Sequence, residues 1–430
     1  MAKEASSEVV RIIVSLFSPQ IMTMSNYSTV ASALVAGATL CIASSCGKLD
    51  EGDSAGEPAS EPTKSSERHH HDESQDDHQE NNYDPAGGAA KAKAGSAADS
   101  RKGAHGHDQP KSAAKWYITM HGEPAGNTVH ALSGAGETLG NILQPVPQAV
   151  GGNAKGVRGM LHTGEHGLLV VSASMENTRL LRYAEPIADG TLPFESVFAT
   201  KALKDPDLVH SYALAVGADG TVYASNQDTN TVSAYHGIGT TTPGEAMPVP
   251  TEIAGLGVPP GTIVPRAQVS PQGITQIRGI AIGADGLLYV CDRGASQVVV
   301  FDPKTGLRKG VLADSSHGLM HPIQLLFAPD GHTVYLTDNG VPAIFRIDVT
   351  TSSVILFANR STGCPELPSS LAMDSEHLYV GDRKKKQIVR FKLETGEPDK
   401  QPFADNLPDA PEFMVPASVL PIVPAAKKDL

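Results

Sequence analysis

Residues 277–306 read IRGIAIGADGLLYVCDRGASQVVVFDPKTG. A short apolar run, Ile280-Ala281-Ile282, comes first. Asp285-Gly286 follows, a hairpin signal because both residues tolerate positive φ. The alternating run Leu288-Tyr289-Val290 reads as a second strand, and Asp292 marks a polar corner. Val298-Val299-Val300-Phe301 reads as a third strand and Arg308–Ala313 as a fourth.

The same grammar returns in Tyr212–His236, Pro322–Asp348 and Ser370–Gly396, and more loosely in Val157–Tyr183. Asp219-Gly220 and Asp330-Gly331 repeat the turn; Asn226, Asp338 and Asp382 repeat the corner. Ser353–Ala358 repeats the fourth strand. Four short strands at a period of about 40–55 residues predict an all-β protein, a β-propeller. Five units are complete. A sixth is divided between the ends: Trp116–His121 and Thr128–Ser133 read as second and third strands, and Phe413–Val423 as the first strand they lack. Six blades are predicted, closed by N- and C-terminal strands in one blade; closure removes free sheet edges. The insert Pro243–Pro271 reads as a Pro- and Gly-rich loop, but its length keeps seven blades as the alternative.

The units resemble NHL repeats, and TVYASNQDTNTVSAYH (221–236) also resembles YVTN-type propeller repeats. The resemblance spans about 114–430 and specifies fold more than function. It includes lyases of amidated peptides that hold Zn through channel histidines, and gluconolactonase-like hydrolases that bind Ca²⁺. Zn or Ca²⁺ is therefore open as a cofactor.

The first strand of a propeller blade lines the central channel, and its start faces the channel mouth. Arg158, His210, Arg278, His321 and Ser369 or Ser370 stand at these starts. Arg158, His210, Arg278 and His321 are the candidate ligand-binding residues: Arg suits planar anions and neutral His suits Zn. His210 and His321 match the lyase histidines, but Arg158 and Arg278 stand where further His is needed, so the metal set stops at two of three or four ligands. The corner Asn and Asp residues recur in blade after blade and read as turn caps. Cys291 and Cys364 belong to blades that are not neighbours and read as separate thiols. The run Arg383-Lys384-Lys385-Lys386 reads as a solvated hairpin tip.

Residues 1–46 resemble a targeting region. Thr29–Ser45 is uncharged and rich in small residues, too short and too weakly apolar for a comfortable span. Ala43-Ser44-Ser45-Cys46 resembles a bacterial lipobox, with Ala43 where Leu is usual, which makes Cys46 the lipidation candidate. An extracytoplasmic lipoprotein is the expectation, and simple secretion the alternative. Residues 47–113 have almost no aliphatic residue larger than Ala, so chain entropy predicts a disordered linker. Its six histidines, among them His69, His70 and His71, lack the spacing of a structural zinc site. The propeller is assigned to 114–430.

Of the 430 residues, 34 are Lys or Arg and 47 Asp or Glu, a net charge of −13 that argues against nucleic acid as the partner. Four Cys exclude a disulfide scaffold. A monomeric module binding a protein, peptide or glycan is expected, touching a membrane only through its anchor. The alternative is a channel-mouth enzyme, a metal-dependent lyase or a lactonase-like hydrolase.

Overall fold

The computed structural model describes residues 111–163, 167–201 and 208–418. The anchor-like segment with Cys46 and the His-rich stretch up to 110 lie outside them. The described chain begins as a meander of β1 (Ala114–Met120), β2 (Val129–Ser133) and β3 (Thr138–Asn141). Blade 2 is β4 (Val157–His162), β5 (Leu168–Ser172), β6 (Arg179–Tyr183) and β7 (Phe194–Thr200). Blade 3 is β8 (Ser211–Val216), β9 (Val222–Asn226), β10 (Thr231–Tyr235) and β11 (Thr262–Val264). Blade 4 is β12 (Ile277–Ile282), β13 (Leu288–Asp292), β14 (Gln297–Asp302) and β15 (Leu307–Ala313). Blade 5 is β16 (Pro322–Phe327), β17 (Thr333–Asp338), β18 (Ala343–Asp348) and β19 (Ser353–Asn359). Blade 6 is β20 (Pro368–Met373), β21 (His377–Asp382) and β22 (Gln387–Lys392). The last strand, β23 (Pro411–Pro416), returns to pair with β1, giving the sheet order β23-β1-β2-β3 and closing blade 1. The protein is a six-bladed β-propeller.

Two details differ from the sequence reading. The insert Pro243–Pro271 is not all loop: its three-residue strand β11 completes blade 3, and Pro and Gly on either side hide so short a strand. Blade 6 has no regular fourth strand. Its outer edge is covered instead by single bridges, Ile388 with Ala404 and Phe391 with Pro398.

The Asp-Gly turns show why these segments fold as hairpins. Asp219 Oδ1 accepts the Thr221 N–H, Asp285 Oδ1 the Leu287 N–H, and Asp330 Oδ1 the His332 N–H. The glycine after each Asp takes the left-handed conformation, with φ of 82°, 76° and 73°. The core is divided among six apolar clusters, one in each gap between neighbouring blades. Both faces of a blade are therefore buried, which accounts for continuous apolar runs such as Leu168–Val171. In the gap between blades 6 and 1, Trp116 packs on Tyr379 with ring centroids 4.6 Å apart.

Near the axis the inner strands approach closely. A Cβ on Gly159 would lie 2.7 Å from the Tyr212 carbonyl oxygen, and one on Gly279 would lie 2.8 Å from Cα of Gln324. Glycine at these two positions lets β4 meet β8 and β12 meet β16.

Candidate functional site

Each inner strand carries a β-bulge at the end where it begins. In β4, Val157 pairs with Ser172 and Met160 with Val170, so Arg158 and Gly159 together face Val171. In β12, Ile277 pairs with Asp292 and Ile280 with Val290, so Arg278 and Gly279 are the bulged pair. The register shifts at the matching place in β8, β16, β20 and β23. The residue after the first paired one is then Arg158, Tyr212, Arg278, Ile323, Ser369 and Glu412 around the ring. A bulge re-aims a side chain and frees it from the ladder. The channel mouth is thus a ring of six re-aimed positions.

This register separates residues that the sequence reading treats as equivalent. Arg158 and Arg278 stand one residue after the first pair, whereas His210 and His321 stand one before it, in the loops leading into β8 and β16. The two histidines belong to blades 3 and 5, with blade 4 between them. Nδ1 of His210 lies 3.1 Å from Asp228 Oδ1, and its backbone N–H donates to Thr178 Oγ1 of blade 2. The His321 ring lies over Gly340, where a Cβ would be 2.8 Å from its Cγ. Ser369 donates from Oγ to the Pro411 carbonyl at 2.6 Å, tying blade 6 to β23. Among the described residues, no three His, Cys, Asp or Glu side chains come together to hold a metal ion. The two histidines therefore do not fit the Zn set of the lyases.

Three side chains that the sequence reading leaves out complete the mouth. Glu412, 1% exposed, receives Arg383, whose Nε lies 3.3 Å from Glu412 Oε2; His121 Nδ1 lies 3.7 Å from the same oxygen. Arg383 is thus not part of a solvated tip: it turns inward, while Lys385 and Lys386 stay exposed and pair with Glu366 and Asp409. Tyr212 is the third. The Arg278 guanidinium lies over its ring at 5.8 Å, and the ring meets Phe413 edge-on at 5.0 Å. Burial first, then the Glu412 carboxylate, push the Tyr212 hydroxyl pKa up; Arg383, Arg278 and a hydrogen bond with Gln324 act the other way. Gln324 Nε2 also donates to the Glu412 carbonyl at 2.8 Å, linking blades 5 and 1. A basic run gives no sign that its first member turns inward. A bulge leaves no mark in composition or periodicity.

The corner residues are structural. Asp338 accepts the N–H groups of Met320 and His321 from the preceding loop and of Gly340 and Val341 from the following turn. Asp382 does the same for Glu366, Leu367, Lys384 and Lys385. Cys291 and Cys364 are both free and buried. Burial, then nearby Asp382, push the Cys364 thiol up to about 12, which keeps it protonated and inert.

Around this mouth stand exposed apolar side chains. Met320 is 46% exposed just before β16, and Met175 is 52% exposed between β5 and β6. Val341 and Val150 are exposed in loops of the same end.

A family model described as the NHL repeat matches residues 275–301, the heart of blade 4. No curated protein sequence matches the chain. Among solved structures it is similar to a nidogen/laminin complex, at 13% identity and a TM-score of 0.52, over 71% of this chain and 98% of that one. It is also similar to a "putative 6-phosphogluconolactonase" from Bacteroides uniformis, at 13% identity and a TM-score of 0.44, over 66% and 81%. At this identity the first likeness is one of fold. The repeat signature in blade 4 and the closed ring of six blades agree, and the chain is a six-bladed β-propeller that carries an NHL repeat.

Proposed function

We propose that this protein is an extracytoplasmic, membrane-tethered binding module, and that its channel-mouth face takes a protein or peptide. One observation carries the reading: four exposed large apolar side chains, Val150, Met175, Met320 and Val341, stand on loops at the end that also holds the buried charged ring. An apolar rim over fixed polar groups is the composition of a recognition surface. Unbranched Met adapts its shape to a partner.

The test is cross-linked capture of envelope proteins from producing cells by the full chain. The double substitution Met175→Asp/Met320→Asp is expected to abolish capture. Ile355→Asp/Leu356→Asp, on the outer strand β19, is expected to leave it intact. Equal capture by both variants overturns the reading. The tether is tested separately: Cys46→Ser is expected to move the protein from the membrane to the soluble fraction and to abolish labelling by a palmitate analogue. Unchanged fractionation and labelling overturn the lipid anchor.

A further inference from the structure

The geometry points to a carboxylate-binding site at the channel mouth, centred on Arg158, that takes an acidic residue of a peptide. It rests on the reading of the mouth face as the binding surface. The other buried or half-buried arginines of this end have protein partners. Arg179 donates to the carbonyls of Val150, Gly152 and Asn153 and so holds the loop before β4. Arg278 donates from Nη1 to the Ile277 carbonyl and stacks on Tyr212. Arg383 pairs with Glu412. Arg158 differs: its Nη1 is buried and has no hydrogen-bond partner among the described residues. A buried donor without an acceptor costs free energy that a bound acceptor would recover.

Charge selects an anion. The corner carboxylates Asp338 and Asp382 are held by backbone N–H groups, and Asp228 stands against His210. Of the six bulged positions, two carry guanidinium groups, Arg158 and Arg278, and one a carboxylate, Glu412, which is already paired with Arg383. At these six positions cations outnumber anions, in a chain whose net charge is −13. The planar fork of a guanidinium matches a carboxylate through two parallel hydrogen bonds. In a ring that also holds Glu412, a singly charged carboxylate meets less repulsion than a phosphate dianion. The exposed Met175 and Met320 give apolar neighbours of the acidic residue a place to pack. The ligand is therefore an acidic residue flanked by apolar ones.

The experiment is selection of a phage-displayed library of random twelve-residue peptides on the full chain, followed by fluorescence anisotropy of the enriched peptides. The expected winners carry Asp, Glu or a free C-terminal carboxylate beside apolar residues. Replacing that carboxylate by its amide is expected to weaken binding about tenfold or more to the wild type, as for a hydrogen-bonded charge pair. The same replacement is expected to have no effect on binding to Arg158→Gln. Arg158→Lys keeps the charge without the fork and is expected to recover only part of the affinity. Thermal melts of the variants check that they fold. If amide replacement weakens binding equally with and without Arg158, the carboxylate assignment fails. The mouth-face reading still stands in that case, provided Met175→Asp/Met320→Asp abolishes binding. If that variant also binds normally, or if no peptide is enriched, both fail. Displacement of the peptide by an equimolar amount of inorganic phosphate overturns the peptide assignment in favour of a free anion.

Discussion

A chain ending at residue 410 is expected to lose its cooperative unfolding transition and to self-associate. The strand removed, β23, is the inner strand of blade 1 and pairs with β1 from Trp116 to Met120. Its loss opens the inner edge of β1 and parts the ring between blades 6 and 2. Met414 leaves the cluster it shares with Trp116 and Tyr379. Phe413 leaves Tyr212, and Arg383 is left beside the axis without Glu412. Each large apolar side chain withdrawn from water contributes about 1.5–3 kcal/mol. A buried ion pair that loses one member costs about 3–5 kcal/mol. Together these losses reach the whole stability of an ordinary domain, about 5–15 kcal/mol. The bared edge is a template for another chain. Scanning calorimetry with size-exclusion light scattering would decide: a monomer with an unchanged melting temperature shows that closure is dispensable.

Asp338→Ala is expected to destabilise the folded protein by about 3–5 kcal/mol, because it strands four part-buried backbone N–H groups at once. The side chain is fully buried. Its Oδ2 accepts the Met320 N–H at 2.7 Å; its Oδ1 accepts those of His321 at 2.9 Å, Gly340 at 2.9 Å and Val341 at 3.1 Å. Asp338→Asn keeps one acceptor oxygen and is expected to cost less than half as much. The shift in urea midpoint at constant slope gives both values. A loss below about 1 kcal/mol for Asp338→Ala would show that water replaces the carboxylate without penalty.

Much of the architecture is legible in the residues. Asp-Gly turns place the hairpins, and alternation places the strands. The unmatched strand Trp116–His121 identifies its partner at Phe413 because the first blade lacks an inner strand and the C-terminal segment is a first strand without a sequel. Register is less legible. Arg158 and His210 look equivalent when the repeats are laid side by side, since neither composition nor periodicity shows which residue makes the first pair of an inner strand. They stand two places apart once pairing is counted. Glu412 and Arg383 are hidden for another reason. Their meeting depends on ring closure, which brings together residues from blades 1 and 6 that no local pattern connects. Strand β11 is hidden because three residues are too few to show a period.

The pairing of β1 with β23 has a consequence for how the propeller is presented. The Ala417 N–H donates to the Lys115 carbonyl at 2.9 Å, at the far end of the strands from Met120 and Pro411. Both described ends of the chain thus leave the propeller from its underside. The face opposite the bulged ring is therefore the one that bears both strand ends, Ala114 and Pro416, and the loops of the mouth lie at the other end of the same two strands.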